Sequence, residues 1–202
     1  MDDAAREYVA ELDRRLADAR GVYVVGSAAL GGYEPGRSDL DVLVVVDAPL
    51  SGDERRAIVA RCSHDALPCP ARKLELVVYT AEQVAAPRRD QPFELNLNTG
   101  ADEPLHAGSD PAAEPWHWFV LDLAQAREHA IALHGPPARE VIGAVPRELV
   151  MDAMAELLAW YARNEPGEQL VLAAARAWHY AETGAFVPKR EALTWAARRA
   201  GR

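Results

Sequence analysis

Cysteine and lysine are both scarce, at two residues each. Cys62 and Cys69 are too few for a disulfide framework. With His64 they offer three zinc donors at most, without a fourth ligand or the usual spacing, so no structural zinc site is expected. Long apolar runs are missing too. None approaches the roughly 18 residues of a membrane span. The first twenty residues, MDDAAREYVAELDRRLADAR, lack the apolar core of a secretion signal. A soluble, cytoplasmic chain with no membrane partner is expected. Positive charge is also in deficit, with 22 Lys+Arg against 31 Asp+Glu and a net charge of −9. That balance argues against a nucleic-acid partner, which needs phosphate neutralisation. It is compatible with a cationic ligand. No internal repeat or low-complexity tract is present.

What is there is ordinary globular material. Half of the 202 residues are hydrophobic and 26% are charged. At roughly 150 residues per domain, this length makes one or two units. A chain of this size needs no metal or disulfide staple to bury a core.

The pattern along the chain changes character near residue 110. Before it, helices are expected over 3–20, ended by Gly21, and over 51–62, opened by the capping-box spacing of Ser51 and Glu54. Strands are expected at 22–25, 39–47 and 74–79. The alternating FELNLN segment, 93–98, reads as an edge strand. After Pro111 and Pro115 the periodicity is helical: 116–133, 137–142, 147–164, 167–183 and 189–199. The prolines at 137, 146, 166 and 188 sit at or just before first turns, where proline is tolerated. The layout is an α/β module over 1–110 followed by an α-helical module over 111–202.

Three features carry chemistry. Gly26-Ser27 ends a strand, and Ser38-Asp39-Leu40-Asp41 opens the next. Side chains alternate along a strand, so Asp39 and Asp41 share a side. Two carboxylates so close repel each other unless a cation intervenes, and oxygen-only donors favour magnesium over zinc. Gly26 has no Cβ to keep a phosphate from the backbone. The Ser27 hydroxyl and the amides after it can donate to that phosphate. Glu75 is the third feature. It interrupts the apolar strand LELVVY, where a carboxylate is costly without a partner. If the two strands are neighbours, Glu75 completes a metal cluster with Asp39 and Asp41 or takes a proton from an attacking hydroxyl. Each feature alone is commonplace. Together and in this order they suit phosphoryl chemistry on a nucleotide.

The segment VVGSAALGGYEPGRSDLDVLVVV resembles the G-S-x(10)-S-D-x-D signature of the DNA polymerase β-like nucleotidyltransferases. LDLAQAREHAIALHGPPAREVIGAVP and ARAWHYAETGAFVPKREALTWAA are similar to the helical C-terminal domain of the aminoglycoside 3″-adenylyltransferases. The resemblance runs from Gly21 to Arg198. It implies an α+β fold: a nucleotidyltransferase domain with a mixed sheet, then a C-terminal helical bundle. It implies transfer of AMP from ATP to a hydroxyl of a streptomycin- or spectinomycin-like antibiotic, with release of pyrophosphate, by a monomer. Two magnesium ions would sit at Asp39, Asp41 and Glu75, with Glu75 also the base. Gly26, Ser27 and Ser38 would hold the triphosphate, and Arg176 and Lys189 would reach its phosphates. Trp160 would pack on the acceptor, and Glu165 or Glu168 would supply acidic contacts. Asn96 lies near the place of the family's drug-stacking tryptophan. A nucleotidyltransferase with another acceptor, or a non-catalytic nucleotide-binding module, stays open.

Overall fold

A computed structural model describes residues 1–201. The strands form one mixed six-stranded sheet in the order β5-β4-β3-β2-β1-β6. They are β1 (Gly21–Val24), β2 (Leu40–Val46), β3 (Leu74–Thr80), β4 (Leu95–Thr99), β5 (His106–Gly108) and β6 (Ile131–His134). Among the described residues only β2 and β3 run parallel; every other neighbouring pair is antiparallel.

The helices divide between the two faces and the far end. α1 (Asp3–Arg15) and α3 (Gly52–Cys62) cover one face. There Tyr8, Leu12 and Ile58 join Val22, Val24, Val42, Val44, Leu76 and Leu97 in a dry cluster. The side chain of Asp2 caps α1, and Ser51 with Glu54 forms the expected capping box on α3. α2 (Gly26–Ala29) is a single turn between β1 and β2, and α4 (Ala81–Ala85) follows β3. α5 (Trp116–His129) and α6 (Ala138–Val141) cover the other face, packing Phe119, Leu123 and Val141 on Tyr23, Val25, Leu43, Val45 and Tyr79. α7 (Arg147–Asn164), α8 (Glu168–Thr183) and α9 (Lys189–Ala200) complete the helical part.

Three expectations are corrected. Segment 93–98 is not an edge: β4 is covered by β5, whose pairing runs from Asn96↔Gly108 to Asn98↔His106. The helix expected over 116–133 ends at His129, and Ile131–His134 returns as an edge strand on β1. β-branched Ile131 suits a strand, and Gly135, at φ +89°, turns the chain so closely past Arg20 that a Cβ there would meet its carbonyl oxygen. His134 secures this strand to α1 through Asp13 at 2.5 Å and the Ala19 carbonyl at 3.0 Å. α1 itself stops at Arg15 rather than at Gly21.

Leu123 is fully buried between α5 and the sheet. Leu123→Ala should leave a cavity there and cost about 2–5 kcal/mol, read as a lower urea midpoint at unchanged slope.

Candidate functional site

On the α5-facing side of the sheet, the apolar rows give way at one end to a polar one. The register sets Asp41 directly beside Glu75, and Glu75 directly beside Asn98. Directly opposed side chains lie roughly 5 Å apart on the same face. The strand alternation that buries Val42 and Val44 below therefore turns Asp41 and Glu75 up together. Gly26 sits over this pair at φ +60°, and a Cβ there would overlap the Asp41 carboxylate. The glycine of the Gly-Ser turn thus serves Asp41 as well as any phosphate. The Val25 amide donates to the Asp41 carbonyl at 2.9 Å, fastening the turn to β2. Ser27 is the next residue, in the first turn of α2, which no side chain caps.

The cluster is strongly acidic. Burial, then the nearby Glu75, Asp122 and Asp39 carboxylates, hold the Asp41 pKa well above the usual carboxylate range. Asp122, on α5, faces the same cluster. Burial and the Glu75 charge push it up to about 7, while the Arg176 guanidinium opposes them. Arg176 reaches in from α8 and donates to Gln125 at 3.0 Å. Burial lowers its pKa against the pull of Asp122, Tyr161 and Asp41. Lys189 stands at the mouth, bonded to Gln169 at 3.1 Å. Its pKa is lowered by partial burial first and by Arg176 second, with Asp41 and Asp39 pulling the other way. Both basic residues named from the helical segments therefore converge on the carboxylates.

Two basic residues of the α/β part neutralise what remains. Arg72 grips Asp39 with two bonds, at 2.8 and 2.6 Å. Lys73 lies 2.6 Å from Glu75, with 17% of its side chain exposed. Among the described residues, no group of three or more His, Cys, Asp and Glu stands ready as a metal cage. Asp41 and Glu75 do fit a hard cation: they are adjacent oxygen donors whose repulsion a divalent ion would relieve. Asp39 gives both of its carboxylate oxygens to Arg72.

The remaining candidates divide. Ser38 accepts from the Glu34 amide at 2.9 Å and precedes the carboxylates directly. Asn96 is buried in the next polar position, whereas half-buried Asn98 stands beside Glu75 and donates to Asn96 at 3.0 Å. Trp160 packs edge-to-face with Trp118 and Tyr161 at ring separations of 5.6 and 5.3 Å. Burial, and then Glu165, raise the Tyr161 pKa, and the Glu75 and Arg72 charges also reach it. The aromatic trio therefore borders the acidic cluster, with Glu165 exposed at its outer end. Arg72, Lys73, Asp122, Asn98, Trp118 and Tyr161 were not singled out from the sequence. Asp122 had the same signal as Glu75, one acid in an apolar run (WFVLDLA). The others had no local signal.

Residues 4–90 match the family model of the nucleotidyltransferase domain, and residues 140–201 that of the aminoglycoside adenylyltransferase C-terminal domain. The chain is 31% identical over 209 residues to an aminoglycoside (3″)(9) adenylyltransferase of Klebsiella pneumoniae, covering 96% of this chain and 77% of that one. The chain belongs to the aminoglycoside adenylyltransferase family. Within this family it is also similar to a spectinomycin 9-adenylyltransferase of Staphylococcus aureus, at 29% identity over 87% of this chain and 70% of that one. Its fold matches the crystal structure of a spectinomycin adenyltransferase from Enterococcus faecialis solved with ATP and spectinomycin. The TM-score is 0.66 at 19% identity, over 93% of this chain and 79% of that one.

Asp122 gives the site a pH signature. An acid whose pKa is higher folded than unfolded keeps its proton longer in the folded state, so stability falls as pH rises from about 4 towards 7. Asp122→Asn removes that loss. In chelator, its stability gain over the parent by urea unfolding should be larger at pH 8 than at pH 5. An equal gain at both would contradict the burial of this carboxyl.

Proposed function

We propose that this adenylyltransferase-family protein transfers AMP from ATP to a hydroxyl of an aminoglycoside or spectinomycin-like antibiotic, releasing pyrophosphate. The observation that carries the reading is the Asp41–Glu75 pair, aligned on adjacent parallel strands under the Gly26-Ser27 turn. Family membership supplies the reaction class, and the names of the relatives supply the acceptor class.

In this reading the α/β module, residues 1–110 with the α5–β6–α6 segment packed on its sheet, holds the nucleotide, and the helices from α7 onward cover it. Ser27 and Ser38 donate hydroxyls to the triphosphate. Arg176 and Lys189 balance its charge from the helical side. Glu75 accepts the proton of the acceptor hydroxyl, the freed oxygen attacks the α-phosphorus in line, and pyrophosphate departs. Lys73 engages Oε1 of Glu75. Magnesium, two ions held by Asp39, Asp41 and Glu75, would supply charge neutralisation along the phosphates. The acceptor packs on Trp160 and its neighbours Trp118 and Tyr161. Asn96 braces Asn98 from behind, and Glu165 at the outer end pairs with a cationic group of the drug.

The test is pyrophosphate release from ATP and magnesium with streptomycin, with spectinomycin and without acceptor, followed by mass spectrometry of the drugs. Release that depends on one drug, with that drug gaining one AMP, is expected. ATP turnover indifferent to both drugs would point to another acceptor, and magnesium-dependent ATP binding without turnover would point to a binding module. Asp41→Asn should lower transfer at least about a hundredfold while keeping the native circular dichroism. Lys189→Ala should raise KM for ATP about tenfold and leave KM for the drug unchanged, as expected for the loss of one charged hydrogen bond.

A further inference from the structure

Lys189 does not reach the site on its own. It is the first residue of α9 and is flanked by two residues that grip the loop between α2 and β2. On one side, Pro188 lies against Gly32 so closely that a Cβ on the glycine would come within 3.1 Å of the proline Cβ. On the other, the Arg190 guanidinium meets the Glu34 carboxylate through Nε at 2.6 Å and Nη2 at 3.3 Å, across 156 residues of sequence.

Glu34 is also the residue on which the loop closes. Its carbonyl accepts from the Arg37 amide at 3.1 Å and from the Ser38 amide at 2.9 Å. Its own amide donates to the Ser38 hydroxyl at 2.9 Å. Ser38 runs directly into Asp39 and Asp41. The side chain of Glu34 thus faces α9 while its backbone shapes the entry to the carboxylates.

We infer that the Glu34–Arg190 pair is a clasp that positions Lys189 over the triphosphate cradle, so that ATP affinity depends on a contact that touches neither ATP nor metal. This rests on the reading of Ser38 and Lys189 as nucleotide residues. Arg190 is a positioning residue, and its grip is an exposed one, with 75% of its side chain and 37% of that of Glu34 open to solvent. Exposed pairs contribute modestly. The clasp therefore tunes affinity by a few-fold. Two points of contact, the ion pair and the proline–glycine packing, set the distance and rotation of α9 against the loop. Lys189 lies between them in sequence, so its backbone inherits that placement, and Gln169 of α8 holds its ammonium at 3.1 Å.

The experiment is calorimetric titration of ATP with magnesium, without acceptor, on five proteins: the parent, Glu34→Arg, Arg190→Glu, the double reversal and Lys189→Ala. Each reversal alone should weaken ATP binding about fivefold, and the double reversal should return it to within about twofold of the parent. In turnover, the single reversals should raise KM for ATP and leave KM for the acceptor alone. Glu34→Arg is the deciding arm. Added positive charge acting at a distance would tighten ATP, whereas a broken clasp loosens it, so tightening overturns the inference. Lys189→Ala separates the two levels of the argument. Weaker ATP in Lys189→Ala with no change in either reversal removes the clasp and keeps the nucleotide site. Unchanged ATP in Lys189→Ala removes both. Both reversed side chains reach solvent, so an unchanged urea midpoint should accompany each. A variant whose midpoint falls is replaced by Glu34→Gln or Arg190→Gln, each expected to weaken ATP about threefold.

Discussion

Two half-buried carboxylates are held side by side on one face of the sheet. Asp41 and Glu75 occupy matching positions of the parallel pair β2–β3, so both side chains leave the sheet on the same face. Their repulsion is the constraint that the surrounding structure answers. Arg72 and Lys73 draw off Asp39 and Glu75, Arg176 faces Asp122 and Asp41 from the helical part, and Lys189 closes the mouth. The protein is assembled around a place that holds negative charge at a cost and therefore favours cations, whether its own or a metal's.

The helical part is more than a cover. Phe119 and Leu123 anchor α5 by ordinary apolar burial, and on the same helix Asp122 is brought to the acidic cluster. The same packing that stabilises the fold thus delivers charge to the site. Farther along, α8 and α9 contribute one cation each, and the Glu34–Arg190 pair ties the last of these to the loop that carries Ser38. The trio of Trp118, Trp160 and Tyr161, packed edge-to-face, adds a half-buried aromatic cluster near the carboxylates. Apolar rings next to concentrated negative charge suit a ligand that carries both hydrocarbon and ammonium groups.

Much of this was legible in the residues. Apolar runs with β-branched residues marked the first three strands, and Ser51 with Glu54 marked the start of α3. Glu75 stood out because an acid in an apolar strand demands a partner, and the structure supplies Lys73 at 2.6 Å, with Asp41 beside it in register. The register added what alternation could not: β2 and β3 are parallel neighbours in step. Asn96 illustrates the limit. Which asparagine of β4 lies beside Glu75 depends on the pairing between β3 and β4, and that register puts Asn98 there and Asn96 two residues away on the same face.

The sequence by itself determined whatever has a short period or a short span: helix and strand signals, caps, the Gly-Ser and Asp-x-Asp spacings, and the family signature they compose. These follow from backbone geometry and neighbouring side chains, which a window of a dozen residues contains. Only the tertiary structure decided that Ile131–His134 would leave a helical pattern for the edge of the sheet, and that β5 would cover β4. It also decided that Arg72 and Lys73 would hold the carboxylates and that Arg190 would meet Glu34. Such contacts join segments far apart in the chain. Their partners are ordinary charged or mixed residues when read locally, so their meaning appears only once the sheet order and helix packing have brought them together.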